Sequence, residues 1–387
     1  MYKITYGGAL IGNEEKKAIM KIVNRNWWPL AEEGRLMEQE ASKFLGVKYG
    51  VLANSGSSAG LLALSALELQ KGSEVIIPAV TFPTIFNIIL QCGLVPVVVD
   101  CKVGTYTIDM DKLEQAIGPK TKAIIAVHAV GNPCDMPGIM KIAKKYKLKV
   151  IEDNCDGWGS TIKGKKVGSF GDLSITSFHA AHIVAMGQGG GVFTNDKELA
   201  RKVRMYRDWG RQSDIPRRTN GKKWKSLPGD YDARFIYEKV GYNLSPLELQ
   251  ASMGRVQLKK SDKIKKLRQR NFNYIYKHLS KHKELIMPVS VTKDVCWFSF
   301  PLTVIGKRGP LVKHLEDNGI ETRSMFAGNI LKHPAYKGVK CRVGNSLKES
   351  NLILKYSFWV SCHPRYSTKE LDYMIKVFND YFKKTTK

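Results

Sequence analysis

EVIIPAVTFPTIFNIILQCGLVPVVVD, residues 74–100, decides the fold. EVIIPA (74–79) and VPVVVD (95–100) are short apolar runs rich in β-branched residues, and the stretch between them, 82–92, carries a helical pattern. A helix that joins two buried strands brings the chain back to its starting edge, so the strands run parallel. The pattern continues outward. KAIIAVHAV (122–130), KVIEDN (149–154), LSITSF (173–178) and GGVFTN (190–195) read as further strands, with helices at 109–117 and 135–147. This alternation predicts an α/β fold, a mostly parallel sheet with helices on both faces. Past Asp196 the character changes: a helix over 196–209, a polar loop over 211–232, and a long helix from Ser245 to about Lys281, capped by Ser245 or Asn243. CWFSFPLTV (296–304), a helix near 310–318 and an amphipathic helix from Thr368 complete the chain. The spacing divides it into a large α/β domain over 1–250 and a smaller C-terminal α+β domain over 251–387.

Composition sets the outer bounds. The chain has 387 residues, 43% hydrophobic and 25% charged, a balance that excludes a disordered or fibrous protein. Its 62 basic and 35 acidic residues leave a net charge of +27. Such a field draws anions of every kind, from nucleic acid to phosphorylated metabolites, without choosing among them. The basic runs RRTNGKKWK (217–225) and KKSDKIKKLRQR (259–270) read as solvated faces, the second on a helix with apolar positions between its charges. Nucleic-acid and membrane binding are therefore not expected. Seven irregularly spaced cysteines do not form a disulfide framework. MYKITYGGALIGNEEKK at the N-terminus lacks the pattern of a secretory signal. The most apolar stretch, 79–99, is broken by Pro83, Asn87, Gln91, Gly93 and Pro96. Both observations point to the cytoplasm.

In an open α/β sheet, chemistry sits where strands end. After VLA comes Asn54-Ser55-Gly56-Ser57-Ser58-Ala59, then the helical run LLALSALEL. Free N–H groups and hydroxyls at a helix start suit a phosphate. Strand 149–154 ends in Glu152-Asp153-Asn154-Cys155-Asp156, and a carboxylate at such a position needs a cation or a protonated ring nitrogen as partner. A third strand leads into Ser177-Phe178-His179-Ala180-Ala181-His182, followed by a glycine-rich return, Met186-Gly187-Gln188-Gly189-Gly190-Gly191.

NSGSSA (54–59), IEDNCD (151–156), SFHAAH (177–182), GQGG (187–190) and Gly241-Tyr242-Asn243, in that order, resemble the pyridoxal-phosphate-dependent sugar aminotransferases of the DegT/DnrJ/StrS family. The resemblance spans nearly the whole chain and implies the PLP-dependent transferase fold of type I, with 1–250 as the cofactor-binding domain. Transaminating members carry a lysine in the pattern S-F-H-x-x-K to hold the cofactor covalently; here that position is His182. Histidine there marks the nucleotide-sugar 3-dehydratases. Gly131-Asn132-Pro133, Arg207-Asp208-Trp209-Gly210-Arg211 and Phe326-Ala327-Gly328-Asn329 extend the likeness to that subgroup, chiefly to its CDP-sugar branch. The CDP-sugar branch holds a two-iron two-sulfur cluster on four cysteines. On its spacing the first falls on Cys155, but the others fall on Ser213, Ile215 and Lys223, which supply no thiolate, so no cluster is expected. The GDP-sugar branch has the histidine without the cluster.

The resemblance implies a C3 deoxygenation of a CDP- or GDP-linked 4-keto-6-deoxyhexose with pyridoxamine or pyridoxal phosphate. Histidine accepts and returns protons near neutrality, which makes His182 the acid and base. By the same resemblance Asp153 pairs with the pyridine nitrogen, Asp156 meets the ring hydroxyl, and Phe82 stacks on the ring. Gly56, Ser57, Ser58 and Ser177 hold the phosphate, and Asn243 reaches in from a second subunit of a homodimer. Arg323 and Lys332 are candidates for the diphosphate, and L-glutamate for the amino donor. An ordinary sugar aminotransferase would need lysine at 182; a non-catalytic basic binding protein is the other alternative.

Overall fold

The computed structural model describes residues 2–212, 226–228 and 231–385. Helices α1 (Asn13–Val23) and α2 (Glu32–Leu45) precede β1 (Tyr49–Ala53). The alternating region follows as α3 (Gly56–Ala66), β2 (Glu74–Pro78), α4 (Pro83–Gln91), β3 (Val95–Val99), α5 (Met110–Leu113), β4 (Thr121–Val127), α6 (Met136–Tyr146) and β5 (Lys149–Asp153). A small hairpin, β6 (Thr161–Ile162) and β7 (Lys165–Lys166), leads to β8 (Leu173–Ser177), β9 (Gly190–Thr194) and α7 (Lys197–Arg207). After α8 (Glu248–Leu279) come β10 (Leu285–Ile286), β11 (Phe300–Val304), α9 (Arg308–Asp317), β12 (Thr322–Ser324), β13 (Arg342–Val343), α10 (Lys348–Tyr356), β14 (Ser357–Val360) and α11 (Thr368–Thr385).

The large sheet has eight strands in the order β1-β9-β8-β5-β4-β2-β3-β13. It is parallel from β8 to β13, and β9 runs antiparallel to both of its neighbours. Winding proceeds one way from β2 to β3 and the other way from β4 through β5 to β8. The two directions part between β2 and β4, and the carboxyl ends beside that point form the crevice where such sheets take ligands. The second sheet, β10-β11-β14-β12, is antiparallel.

The two ends of the chain stitch the sheets together. Ile4 bridges to Ile320 in the C-terminal region, and β13 returns to pair with β3. A bidentate Arg342–Glu74 pair at 2.7 Å anchors that return. Helix α8 packs on α1 and α2 through a buried carboxylate: Glu248 accepts the N–H groups of Ala31, Glu33 and Gly34. These are free donors at the start of α2, whose own cap, Ala31, has no side-chain acceptor.

Two expectations change. The helix expected over 109–117 is a single α turn followed by a 3-10 turn, Glu114–Ala116. Helix α8 is not capped by Ser245 or Asn243: its cap is Leu247, whose N–H donates to Gln250 Oε1 at 2.7 Å. The backbone just before it is already engaged, Asn243 bridging to Asp208 and the Leu244 carbonyl accepting from Asn54. Those long-range bonds fix the chain too far upstream for a Ser or Asn side chain to reach the helix.

Candidate active site

A cavity of about 470 Å³ opens at the carboxyl ends of the parallel strands. Its floor comes from strand ends and the turns after them: Phe82 beyond β2, His128 beyond β4, Asp153 and Asp156 at the exit of β5, and Ser177, His179 and His182 at the exit of β8. The far wall comes from distant sequence: Tyr6, Phe298, Arg323, Phe326 and Trp359.

One end is a cradle for an anion. Ser55 caps α3, its Oγ accepting from the Ser58 N–H at 3.0 Å, and the N–H groups of the first turn point outward. Close packing sets this turn on the sheet. A Cβ on Gly56 would lie 2.7 Å from Ser177 Cβ, and one on Gly190 would lie 2.2 Å from the Ser55 carbonyl oxygen. Only hydrogen fits at either place. Ser57 Oγ pairs with Thr84 Oγ1 at 2.7 Å beside the cradle. Donor groups and a helix terminus make the site fit for a phosphate.

The other end is acidic and buried. Asp153 is 6% exposed, and its Oδ1 accepts the Cys155 N–H at 3.1 Å. Burial pushes its carboxyl above the ordinary range, and the hydrogen bonds from Cys155 and the field of His128 oppose that. No cation among the described residues pairs with it, so its aim into the cavity suits a protonated ring nitrogen between it and the phosphate cradle. Asp156, also buried, is pushed up to about 8, by desolvation first and by Asp153 second.

His182 Nδ1 lies 2.7 Å from the carbonyl oxygen of Cys155. A carbonyl only accepts, so Nδ1 carries the hydrogen and Nε2 is left as a lone pair. Burial drives this imidazole down to about 4, against the Cys155 hydrogen bond, with His179 and Arg268 adding to the depression. Its 3.4 Å contact with Asp156 is therefore not an ion pair near neutrality: the histidine is neutral and the aspartic acid holds its proton. A neutral, oriented imidazole beside a carboxylic acid can take up one proton and return it.

Of the residues singled out from sequence, the fold brings Gly56, Ser57, Phe82, Asp153, Asp156, Ser177 and His182 onto this one cavity. Phe82 is 57% exposed there, so it is not core packing. Arg323 lies on the wall, with its guanidinium 4.5 Å from the Tyr6 ring centre, and Gln188 lines the opposite side. Ser58 turns its hydroxyl to Ser55 instead. Asn243 is exposed and off the wall of its own chain's cavity, and Lys332 sits in the turn Ile330–Lys332 away from it. Ser213, Ile215, Lys223 and the basic run 217–225 lie outside the described residues. Tyr6, Thr84, His128, Phe298 and Trp359 were not singled out from sequence.

The family model for the DegT/DnrJ/EryC1/StrS aminotransferase family matches residues 9–379. The chain belongs to that family. It is 36% identical to lipopolysaccharide biosynthesis protein RfbH of Salmonella typhimurium, over 97% of this chain and 91% of that protein. It is 36% identical to dTDP-4-dehydro-2,6-dideoxy-D-glucose 3-dehydratase of Saccharopolyspora spinosa, over 98% and 86%. Among solved structures, GDP-4-keto-6-deoxymannose-3-dehydratase with a trapped PLP-glutamate geminal diamine superposes with a TM-score of 0.90 at 28% identity, covering 97% of this chain and all of that one. The fold is the type I architecture of this DegT-family group. No helix of the described residues is long and apolar enough to cross a membrane.

Proposed function

We propose that this chain is a pyridoxamine/pyridoxal-phosphate-dependent 3-dehydratase that removes the C3 oxygen of a nucleotide-linked 4-keto-6-deoxyhexose. The observation that carries the reading is His182: an imidazole with its Nδ1 hydrogen committed to Cys155 and its Nε2 free, at the position where transaminating relatives need lysine. The similarity to 3-dehydratases acting on dTDP- and GDP-linked keto sugars supports the same reaction class.

When bound, the cofactor supplies an electron sink for breaking the C3–O bond. The protein's part follows from its residues. Gly56, Ser57 and Ser177 would hold the phosphate at the start of α3, and Ser58 keeps Ser55 in its capping position. Asp153 would pair with the ring nitrogen and favour its protonated form, and Phe82 would stack on the ring. His182 Nε2 takes a proton at the reacting carbon and delivers it to the departing C3 oxygen, which leaves as water. Asp156, 3.4 Å from Nδ1, would meet the ring hydroxyl. The overall reaction balances with L-glutamate as donor: C3 loses oxygen, glutamate becomes 2-oxoglutarate, and ammonia is released. The glutamate adduct named in the solved relative supports this donor.

We also assign the protein to a homodimer in the cytoplasm. Exposed Trp27, Trp28, Trp209, Phe235 and Tyr237 form apolar surface in the neighbourhood of exposed Asn243, and in a dimer that asparagine would complete the phosphate cradle of the other protomer. Ser213, Ile215 and Lys223 supply no thiolates for a cluster, and the glutamate adduct named in the solved relative supports glutamate as the donor that restores the amine cofactor.

The test is the absorbance of pyridoxal-phosphate-reconstituted protein as L-glutamate is added. Conversion of the aldehyde band to the amine band with matching 2-oxoglutarate is expected. An unchanged spectrum would overturn the assignment of glutamate.

A further inference from the structure

Arg268 stands on α8 behind the cavity, 2% exposed, and its immediate partners do not balance its charge. Nη1 donates to the carbonyl oxygens of Phe298 at 2.5 Å and Trp297 at 3.4 Å, and Nε has no acceptor. None of these bonds goes to a carboxylate. A buried cation without a paired anion is costly, so its neighbours must feel it. The guanidinium carbon lies 5.6 Å from the centre of the Phe298 ring, and that ring lies 5.4 Å from the imidazole of His182, tilted by 33°. Cation, ring and imidazole make a column from α8 to the cavity. Phe298 is held from the other side as well: its N–H donates to the carbonyl of Val130, whose φ of 50° is a left-handed value that a β-branched residue rarely adopts.

We propose that Arg268 is a positioning residue for the reaction: a buried carbonyl clamp that seats Phe298 against the His182 imidazole, and a fixed charge that opposes a second positive charge there. This rests on the reading of His182 as the acid and base. A second positive charge at 182 is opposed by the first, in the same direction as the burial that chiefly keeps the resting imidazole a lone-pair base. The groups facing His182 are Cys155 and Asp156 from the turn after β5, His179 from its own turn and Arg268 from α8, with Asp153, His128 and Arg323 elsewhere on the cavity wall. Around Arg268 itself stand Cys296, Cys362 and His363, and its charge also reaches the Asp156 carboxyl, where it works against the upward push of burial. His363 donates from Nε2 to the Gly8 carbonyl at 2.7 Å and is pushed down to about 4, chiefly by burial and then by Arg268. It is a second imidazole under the same charge.

The experiment is an NMR titration of the full chain labelled at histidine, without substrate, with resonances assigned from His182→Asn and His363→Asn variants. In Arg268→Gln the midpoints of His182 and His363 should both rise, by about one pH unit. Arg268→Lys keeps the charge but not the planar fork, so it should leave both midpoints near their original values while lowering kcat. The acid limb of kcat/KM should move up with Arg268→Gln alone. An unmoved His182 midpoint in folded Arg268→Gln would overturn the inference. If the glutamine variant does not fold, Arg268→Lys decides: a His182 midpoint raised by about one unit there overturns it equally. A chain that never turns over a keto sugar yet shows the Arg268-dependent midpoints would instead overturn the dehydratase reading and leave the charge effect standing.

Discussion

Asp156→Asn in the cofactor-free protein should make the fold more stable, and by an amount that grows with pH. The carboxyl of Asp156 keeps its proton up to about 8, whereas in the unfolded chain it is released near 3.8. Folding must therefore hold on to a proton that the unfolded chain gives up, and stability falls as pH rises through that window. Each pH unit inside it costs about 1.4 kcal/mol. Asparagine has nearly the same shape and nothing to ionise, so it escapes this cost. Between pH 5 and pH 7.5 the advantage of the variant should grow by about 3 kcal/mol, and below pH 4 it should vanish. His182 acts in the opposite sense: its folded value of about 4 against an ordinary 6.5 means stability is lost as pH falls through 6.5 toward 4. That contribution changes only below about pH 6.5, so the growth between pH 6.5 and 7.5 belongs to Asp156. Urea unfolding at fixed protein concentration across this range measures the effect. An advantage that stays constant with pH would refute the reasoning, because it would mean that Asp156 is ionised in the folded protein like any surface carboxylate.

Gly190→Ala puts a methyl group 2.2 Å from the Ser55 carbonyl and must displace the start of α3. Overpacking of this kind costs about 1–3 kcal/mol, so pyridoxal phosphate should bind about ten-fold or more weakly in a fluorescence titration, with a lower Tm. Asp153→Asn should raise the Tm of the cofactor-free protein at neutral pH, because it removes a carboxyl whose ionisation burial opposes. The same variant should cut turnover about a hundredfold or more, so stability and activity move apart. His182→Asn should leave the cofactor dissociation constant nearly unchanged while lowering kcat by about 10²–10⁴.

The large sheet was legible because its signals are local. Runs such as EVIIPA and VPVVVD are bounded by turn residues, and β2, β3, β5, β8 and β9 fall within a residue of the runs that announce them. Residues at strand exits were legible for the same reason: once the strands are placed, Asp153, Ser177 and His182 must lie at one edge of the sheet. The opposite wall of the cavity carries no such signal. Tyr6 reaches it because its N–H donates to Glu321 at 2.8 Å, a contact across nearly the whole chain. Trp359 arrives on a strand of the separate sheet and Phe298 on the segment just before β11, and nothing in CWFSFPLTV distinguishes an aromatic that faces a ligand from one that packs in the core. Arg268 was read as one more charge in a basic helical run, although it is buried while its neighbour Gln269 reaches toward Asp294. Periodicity places a residue on a helix face but does not say what that face meets. The start of α8 was missed for a related reason, since pairing of Asn243 with Asp208 outweighs local capping preference.

The most direct measurement is the structure of the sugar formed from nucleotide-linked 4-keto-6-deoxyhexoses, with CDP, GDP and dTDP carriers in turn, when the reconstituted protein is supplied with L-glutamate. A 3-deoxy-4-keto product, one oxygen poorer than its substrate and formed in step with 2-oxoglutarate and ammonia, is the predicted result, and it should disappear in His182→Asn. A 4-amino sugar that keeps its C3 hydroxyl would contradict the assignment of His182 as the group that delivers a proton to the departing oxygen.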